Sequence, residues 1–204
     1  NFLRNSTDNP FYPTKGTRLS ANEEFTGGPF GGSLNYHRHR YEGRAYLPSV
    51  QKRITTMVRL RLGTVNGYPW IHGVVPDYAR FRLGGGNTPD PLRGYDDYQI
   101  VPGKFARNDT TFFDVNRKDG KDTTRVNRVR YPGGRYLALF TLEQQFPIAH
   151  PLHGVLFFDA GNTWDLRPDI KFDLKVGAGV GFRMEIPLLG NIGFDYGYGF
   201  HRDD

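Results

Sequence analysis

The side chains that could do chemistry in this chain fall into a few patterns. His37 and His39 stand two residues apart on one strand face, a spacing that can bind a metal, but no third ligand accompanies them. Asp114-x-Asn116-x-x-Asp119-Gly120 has the oxygen-rich look of a calcium loop. Its spacing is off by a residue and the closing bidentate Glu is absent, so a solvated loop is the better account. Gly84-Gly85-Gly86 would suit a phosphate cradle if a helix and a Lys-Ser/Thr pair followed; neither does, and a turn is expected. No Ser-His-Asp or activated-nucleophile pattern is present, and the absence of cysteine excludes disulfides and thiolate metal sites. Two carboxylates, Glu143 and Asp159, remain, and ion pairing explains them more simply than catalysis does. No catalytic residue, metal or cofactor is expected.

The elements that carry these groups read as strands. From Leu174 to Ile186 the even positions are Leu174, Val176, Ala178, Val180, Phe182, Met184 and Ile186, and the odd ones are Lys175, Gly177, Gly179, Gly181, Arg183 and Glu185. Alternate strand side chains point to opposite faces, so one face is wholly apolar and the other is polar or glycine. After a turn at 187–191, Ile192, Phe194, Tyr196, Tyr198 and Phe200 repeat the apolar row opposite Gly193, Asp195, Gly197 and Gly199. A helix would mix these sets. Weaker alternation marks Phe2 to Thr7, Thr17 to Thr26, Leu34 to Leu47, Ile54 to Val65, Tyr136 to Phe146 and Val155 to Trp164. That makes about eight strands, with Glu143 and Asp159 on the polar faces of theirs. The apolar segments run to roughly 9–13 residues, which suits tilted strands crossing a bilayer and exceeds the usual globular strand. Tyr196, Tyr198, Phe200 and Trp164 are expected to supply an aromatic girdle.

Composition agrees. The 204 residues hold 26 glycines, 14 prolines and 15% aromatics, with a mean hydropathy of −0.59. That average suits a barrel whose strands meet lipid only at alternate residues, and no apolar run is long enough for a transmembrane helix. The net charge of +6 comes from Lys and Arg spread along the strands without a recognition helix. Nucleic-acid binding is therefore disfavoured, and anionic lipid or lipopolysaccharide is the expected partner of the cationic loops. The chain begins at Asn1 without a targeting signal, as a mature or excised piece would. One connection, about Tyr68 to Gly134, is too long for an ordinary turn, and connections of that length are usually functional or disordered.

At this connection and the strands after it, the sequence resembles the BamA/TamA superfamily of outer-membrane insertases and translocators. Arg93-Gly94-Tyr95, after Gly84-Gly85-Gly86-Asn87, resembles the family's Arg-Gly-Phe/Tyr loop tip and glycine pair. Phe157-Phe158-Asp159-Ala160-Gly161-Asn162-Thr163-Trp164 is similar to its Phe-x-Asp-x-Gly-x-x-Trp strand. Leu142-Glu143 before Pro147, and Asp8 through Tyr12-Pro13-x-x-Gly16, resemble two more of its motifs.

The resemblance implies an all-β fold, an antiparallel transmembrane β-barrel of which residues 1–204 form the C-terminal part, about half of some sixteen strands. It implies that 68–134 is an extracellular loop folded into the lumen, its tip Arg93, Gly94 and Tyr95 anchored on Glu143 and Asp159. Gly177, Gly179, Gly181, Gly193, Gly197 and Gly199 would line the lumen and let the loop backbone approach the wall. The last strand, the early strands and the periplasmic POTRA domains are expected outside this chain. The implied function is folding and insertion of outer-membrane proteins without covalent chemistry. Unfolded outer-membrane clients, membrane lipid and accessory lipoproteins are the partners. A secretion translocator of the same superfamily, a barrel fused to an enzyme and a plain diffusion porin stay open as alternatives.

Overall fold

A computed structural model describes residues 1–28, 31–49, 53–71, 73–105, 110–114, 124–128, 132–186 and 190–201. Eight strands form one antiparallel sheet in sequence order: β1 Phe2–Asn5, β2 Gly16–Thr26, β3 Tyr36–Pro48, β4 Thr55–Gly67, β9 Tyr136–Ala149, β10 Leu152–Trp164, β11 Lys175–Ile186 and β12 Gly190–Gly199. The intervening labels belong to two small hairpins inside the long connection, β5 Ile100–Val101 with β6 Lys104–Phe105, and β7 Thr110–Asp114 with β8 Thr124–Arg128. The Asp114 calcium-like motif falls mostly outside the described residues, at Asn116, Asp119 and Gly120, as does Pro187 of the last turn.

Each strand pairs with its neighbour in sequence, and the long connection interrupts only the succession β4 to β9, which pair directly from Thr55↔Gln145 to Thr64↔Tyr136. The first hairpin closes on Asp8, whose carboxylate accepts from the backbone N–H groups of Thr14 (2.9 Å) and Lys15 (3.2 Å) and from the Thr14 hydroxyl (2.5 Å). A short acidic side chain that bonds nearby backbone amides stabilises such a turn.

The two faces of the sheet differ. Leu60, Leu62, Leu156, Phe158, Val180, Phe182, Phe194, Tyr196 and Tyr198 stand exposed on one face. The opposite face carries the packed core, built from Val65, Leu137 and Leu139 of the sheet and Phe81, Leu83, Leu92, Tyr95 and Ile100 of the long connection. Bridges Phe81↔Gly134, Leu83↔Ile100 and Gly85↔Leu92 fold that connection onto itself. The sequence reading makes this second face polar or glycine on β11 and β12. It is apolar where β9 begins and charged only further along, because the connection covers Leu137 and Leu139 and shields them from water. A second difference is Trp164. It is buried rather than part of a girdle, because the β10–β11 connection folds back and Asp173 accepts its indole N–H at 3.0 Å.

Candidate functional site: a loop arginine on three carboxylates

Leu92-Arg93-Gly94-Tyr95 lies at the point where the long connection meets β9 to β12. Arg93 has its side chain 7% exposed, and each of its three guanidinium nitrogens donates to a carboxylate. Nε and Nη2 donate to the two oxygens of Asp159 at 2.7 and 2.9 Å, the fork-to-carboxylate geometry that makes arginine pairs strong and directional. The Arg93 backbone N–H adds a third bond to Asp159 at 3.2 Å. Nη1 donates to Glu143 at 2.7 Å and to Asp195 at 3.2 Å. The guanidinium carbon lies 3.6 Å from the centroid of the Phe157 ring, so a cation–π contact closes the remaining side. Burial works against the charge, but the hydrogen bonds and charges of Asp159, Glu143 and Asp195 outweigh it and raise the Arg93 pKa above its ordinary value.

Strand register brings the carboxylates together. Glu143 of β9 pairs with Phe157 of β10, which pairs with Gly179 of β11, which pairs with Gly197 of β12. Asp159 and Asp195 lie two residues away on the same face, so three carboxylates ring one position across four strands. Arg183 shares the burden with Arg93, donating to Asp195 at 2.5 and 2.9 Å. Two cations and three anions therefore form one network.

The glycines opposite the loop tip explain how the tip comes so close. A Cβ on Gly177 would overlap the carbonyl oxygen of Arg93, one on Gly197 would lie 2.8 Å from the Gly94 nitrogen, and one on Gly199 2.6 Å from the Gly94 oxygen. Gly94 itself has φ +95°, which a side chain rarely adopts, and its own Cβ would press on Gly199. Tyr95 continues the contact, its hydroxyl donating to the Val176 carbonyl at 3.0 Å and accepting the His201 N–H at 3.2 Å. The other three glycines make room for different atoms. Gly179 leaves space for the Phe157 ring, and Gly181 and Gly193 for the Arg183–Asp195 pair.

Sequence reasoning missed four members of the site. Phe157, Arg183 and Asp195 lie on the correct strand face and carry that much signal, but nothing local marks them as partners of Arg93. The fourth is Asp90, three residues before Arg93 and 2% exposed. Its carboxylate accepts from Arg40 of β3 at 2.9 Å and lies 3.7 Å from Arg61 of β4, whose Nη1 also donates to the Pro89 carbonyl at 2.5 Å. The Arg38 and Arg40 guanidiniums stack over Phe81 of the same connection. Burial pushes the Asp90 carboxyl up against the pull of these cations. The connection thus meets the sheet through opposite charges at two places, an anion on β3–β4 and a cation on β9–β12.

His37 and His39 do meet, with Nδ1 and Nε2 2.7 Å apart, and His39 contacts Glu23. Among the described residues no group of three or more His, Cys, Asp or Glu is arranged to hold a metal ion.

A sheet of long antiparallel strands with one exposed apolar face and a charged, loop-covered opposite face is the wall of a transmembrane β-barrel. The chain belongs to the Omp85 superfamily, whose domain matches residues 1–204. It is 30% identical, over 203 residues, to a protein of Nitratidesulfovibrio vulgaris strain Hildenborough named "Outer membrane protein assembly factor BamA". That match covers 97% of this chain and 22% of the relative, so the chain spans about a fifth of its length. The crystal structure of BamA from Haemophilus ducreyi lacking POTRA domains 1–3 has the same fold, with a TM-score of 0.72 at 19% identity. It covers 98% of this chain, which in turn covers 38% of it. The apolar outer face accordingly lies in the bacterial outer membrane.

Proposed function

We propose that this chain is the C-terminal part of the barrel of an outer-membrane protein assembly factor, which folds and inserts unfolded β-barrel clients with accessory lipoproteins. The connection 68–134 is then an extracellular loop folded into the lumen. Arg93, Gly94 and Tyr95 form its anchored tip, Glu143 and Asp159 are the anchor, and Gly177, Gly197 and Gly199 are the seat. The buried Arg93 network carries the reading. A cation with three carboxylates and an aromatic face is costly to assemble unless the loop position matters, because each charge must leave water. Each carboxylate in it is held by Arg93 or Arg183, which supports a mechanical role. By that role the loop braces the wall, while clients engage a strand edge elsewhere in the barrel by β-augmentation. The packed core between loop and wall also weighs against a plain diffusion porin, which needs an open lumen.

The test is Arg93→Ala in the full-length protein, read by the yield of folded client barrels from proteoliposomes and by crosslinking of a stalled client. Client folding is expected to fall while the variant still inserts into membranes. Wild-type client yield from the variant would refute the role, and steady large conductance without client engagement would favour the porin.

A further inference from the structure

On the inner row of β10 the tip of the long connection rests on Phe157 and Asp159. Next in that row Val155 is 1% exposed, and beyond it His153 stacks on the ring of Tyr12, with centroids 3.8 Å apart and planes 22° apart. Tyr12 belongs to the turn 6–15 between β1 and β2. That turn leaves the sheet at the end opposite the long connection. Gly16 pairs with Tyr46 at its root, whereas Thr26 pairs with Tyr36 and Tyr36 with Gly67, where the long connection begins.

Strand β10 is the fourth neighbour of β2, after β3, β4 and β9. At about 4.8 Å per strand the two stand roughly 19 Å apart along the wall, too far for a turn that hangs straight from its own strands. The turn crosses the opening instead, and the residues it passes mark the route. Tyr46 pairs with Met57 of β4, and one row further out Thr55 pairs with Gln145 and Gln145 with Val155. Tyr46, Met57, Thr55 and Val155 are all buried, on an inner face that would stand in water if this end were open. They lie outside the core beneath the long connection.

The crossing arm is stiff. Asn9 Oδ1 accepts from the backbone N–H groups of Phe11 and Tyr12 at 2.8 and 3.1 Å, beside the three bonds that Asp8 accepts. Burial of Tyr12 pushes the pKa of its hydroxyl up to about 12.

We propose that residues 6–15 are a second plug, closing the end of the lumen opposite the long connection, with Tyr12 on His153 as its latch. Both plugs bear on one row of β10, and His153 pairs with Arg183 of the Arg93 network. The device rests on the barrel wall and stands whether or not the protein assembles clients.

Conductance of the full-length protein in planar bilayers tests it. Tyr12→Ser should raise conductance, His153→Ala should raise it equally, and the two together no further, because each removes the same stack. Tyr12→Phe keeps the stack and should leave conductance unchanged. Two constrictions in series add their resistances, so Tyr12→Ser combined with Gly177→Val, which lifts the loop, should exceed the product of the two single gains. Arg93→Ala lifts the loop where Gly177→Val does not insert. In loop-lifted protein free of other cysteines, Tyr12→Cys and His153→Cys joined by a bifunctional methanethiosulfonate should lower the conductance again, and reductant should restore it. A clamped protein that conducts as the unclamped one does would overturn the proposal. So would a Tyr12→Ser, Gly177→Val protein no more conductive than Gly177→Val alone. Client folding is not read, so neither result bears on the assembly role.

Discussion

Arg93 and Asp159 can be replaced singly and together, and the structure sets the size of the effect. Asp159 is fully buried and accepts two side-chain bonds and one backbone bond from Arg93. Charge-assisted bonds contribute roughly 1.5–3 kcal/mol each, and breaking a buried pair costs about 3–5 kcal/mol because the surviving charge is left in a dry site. Glu143 and Asp195 still face Arg93 after Asp159→Ala, so about 3 kcal/mol is the expected loss for that variant. Arg93→Ala leaves three carboxylates that share Arg183 and should cost about as much or more. Once either member is gone the other contributes little, so the double variant should resemble the worse single one, with a coupling energy of about 3 kcal/mol, the size of the smaller single loss. Urea unfolding of the full-length protein in lipid vesicles, followed by tryptophan fluorescence and by the gel mobility of the folded form, measures all four corners. Additivity to within about 0.5 kcal/mol would mean that the two side chains do not act as a pair, and the anchor reasoning would fail.

Three further predictions concern the wall glycines and the first hairpin. Gly177→Val should displace the loop tip, since its side chain would occupy the place of the Arg93 carbonyl. The expected loss is about 3 kcal/mol, with higher ion conductance in planar bilayers as the loop lifts. Gly193→Ala should cost under about 1 kcal/mol, because its Cβ meets the flexible end of Arg183 at 2.9 Å rather than backbone. Unchanged conductance in the Gly177 variant would show that the tip does not rest on the glycine. Asp8, hydrogen-bonded first by the Thr14 side chain and then by backbone amides, has its pKa lowered from 3.8 to about 2. A carboxyl depressed on folding stabilises fully above its unfolded value and loses that contribution as pH falls toward the folded one. Amide exchange of the 6–17 hairpin should therefore quicken between about pH 4 and 2, and Asp8→Ala should show the quicker exchange already at neutral pH. Pro13 and Gly16 holding the turn unaided would leave both profiles unchanged.

Much of the wall is legible in the sequence. The rows Leu174 to Ile186 and Ile192 to Phe200 separate their faces because successive side chains alternate whatever the strand packs against. The strands run slightly past the readable alternation, as β9 does to Ala149 and β10 back to Leu152, because sheet pairing continues where the pattern has already faded. Trp164 misleads for a related reason. Its parity places it outward, but parity cannot say that a following loop folds back over it.

The site divides along the same line. Local chemistry in the sequence determined the alternating faces, the turn at Asp8, the glycine rows and the polar-face positions of Glu143 and Asp159, since each depends on residues a few places apart. Tertiary structure alone decided that Arg93 reaches Asp159 across 66 residues and Asp195 across 102, that Arg183 and Phe157 complete the seat, and that Asp90 holds the opposite end. Those contacts follow from strand register and from the path of a long connection. Alternation tells which face a side chain takes, and only pairing the strands tells how far along that face it stands.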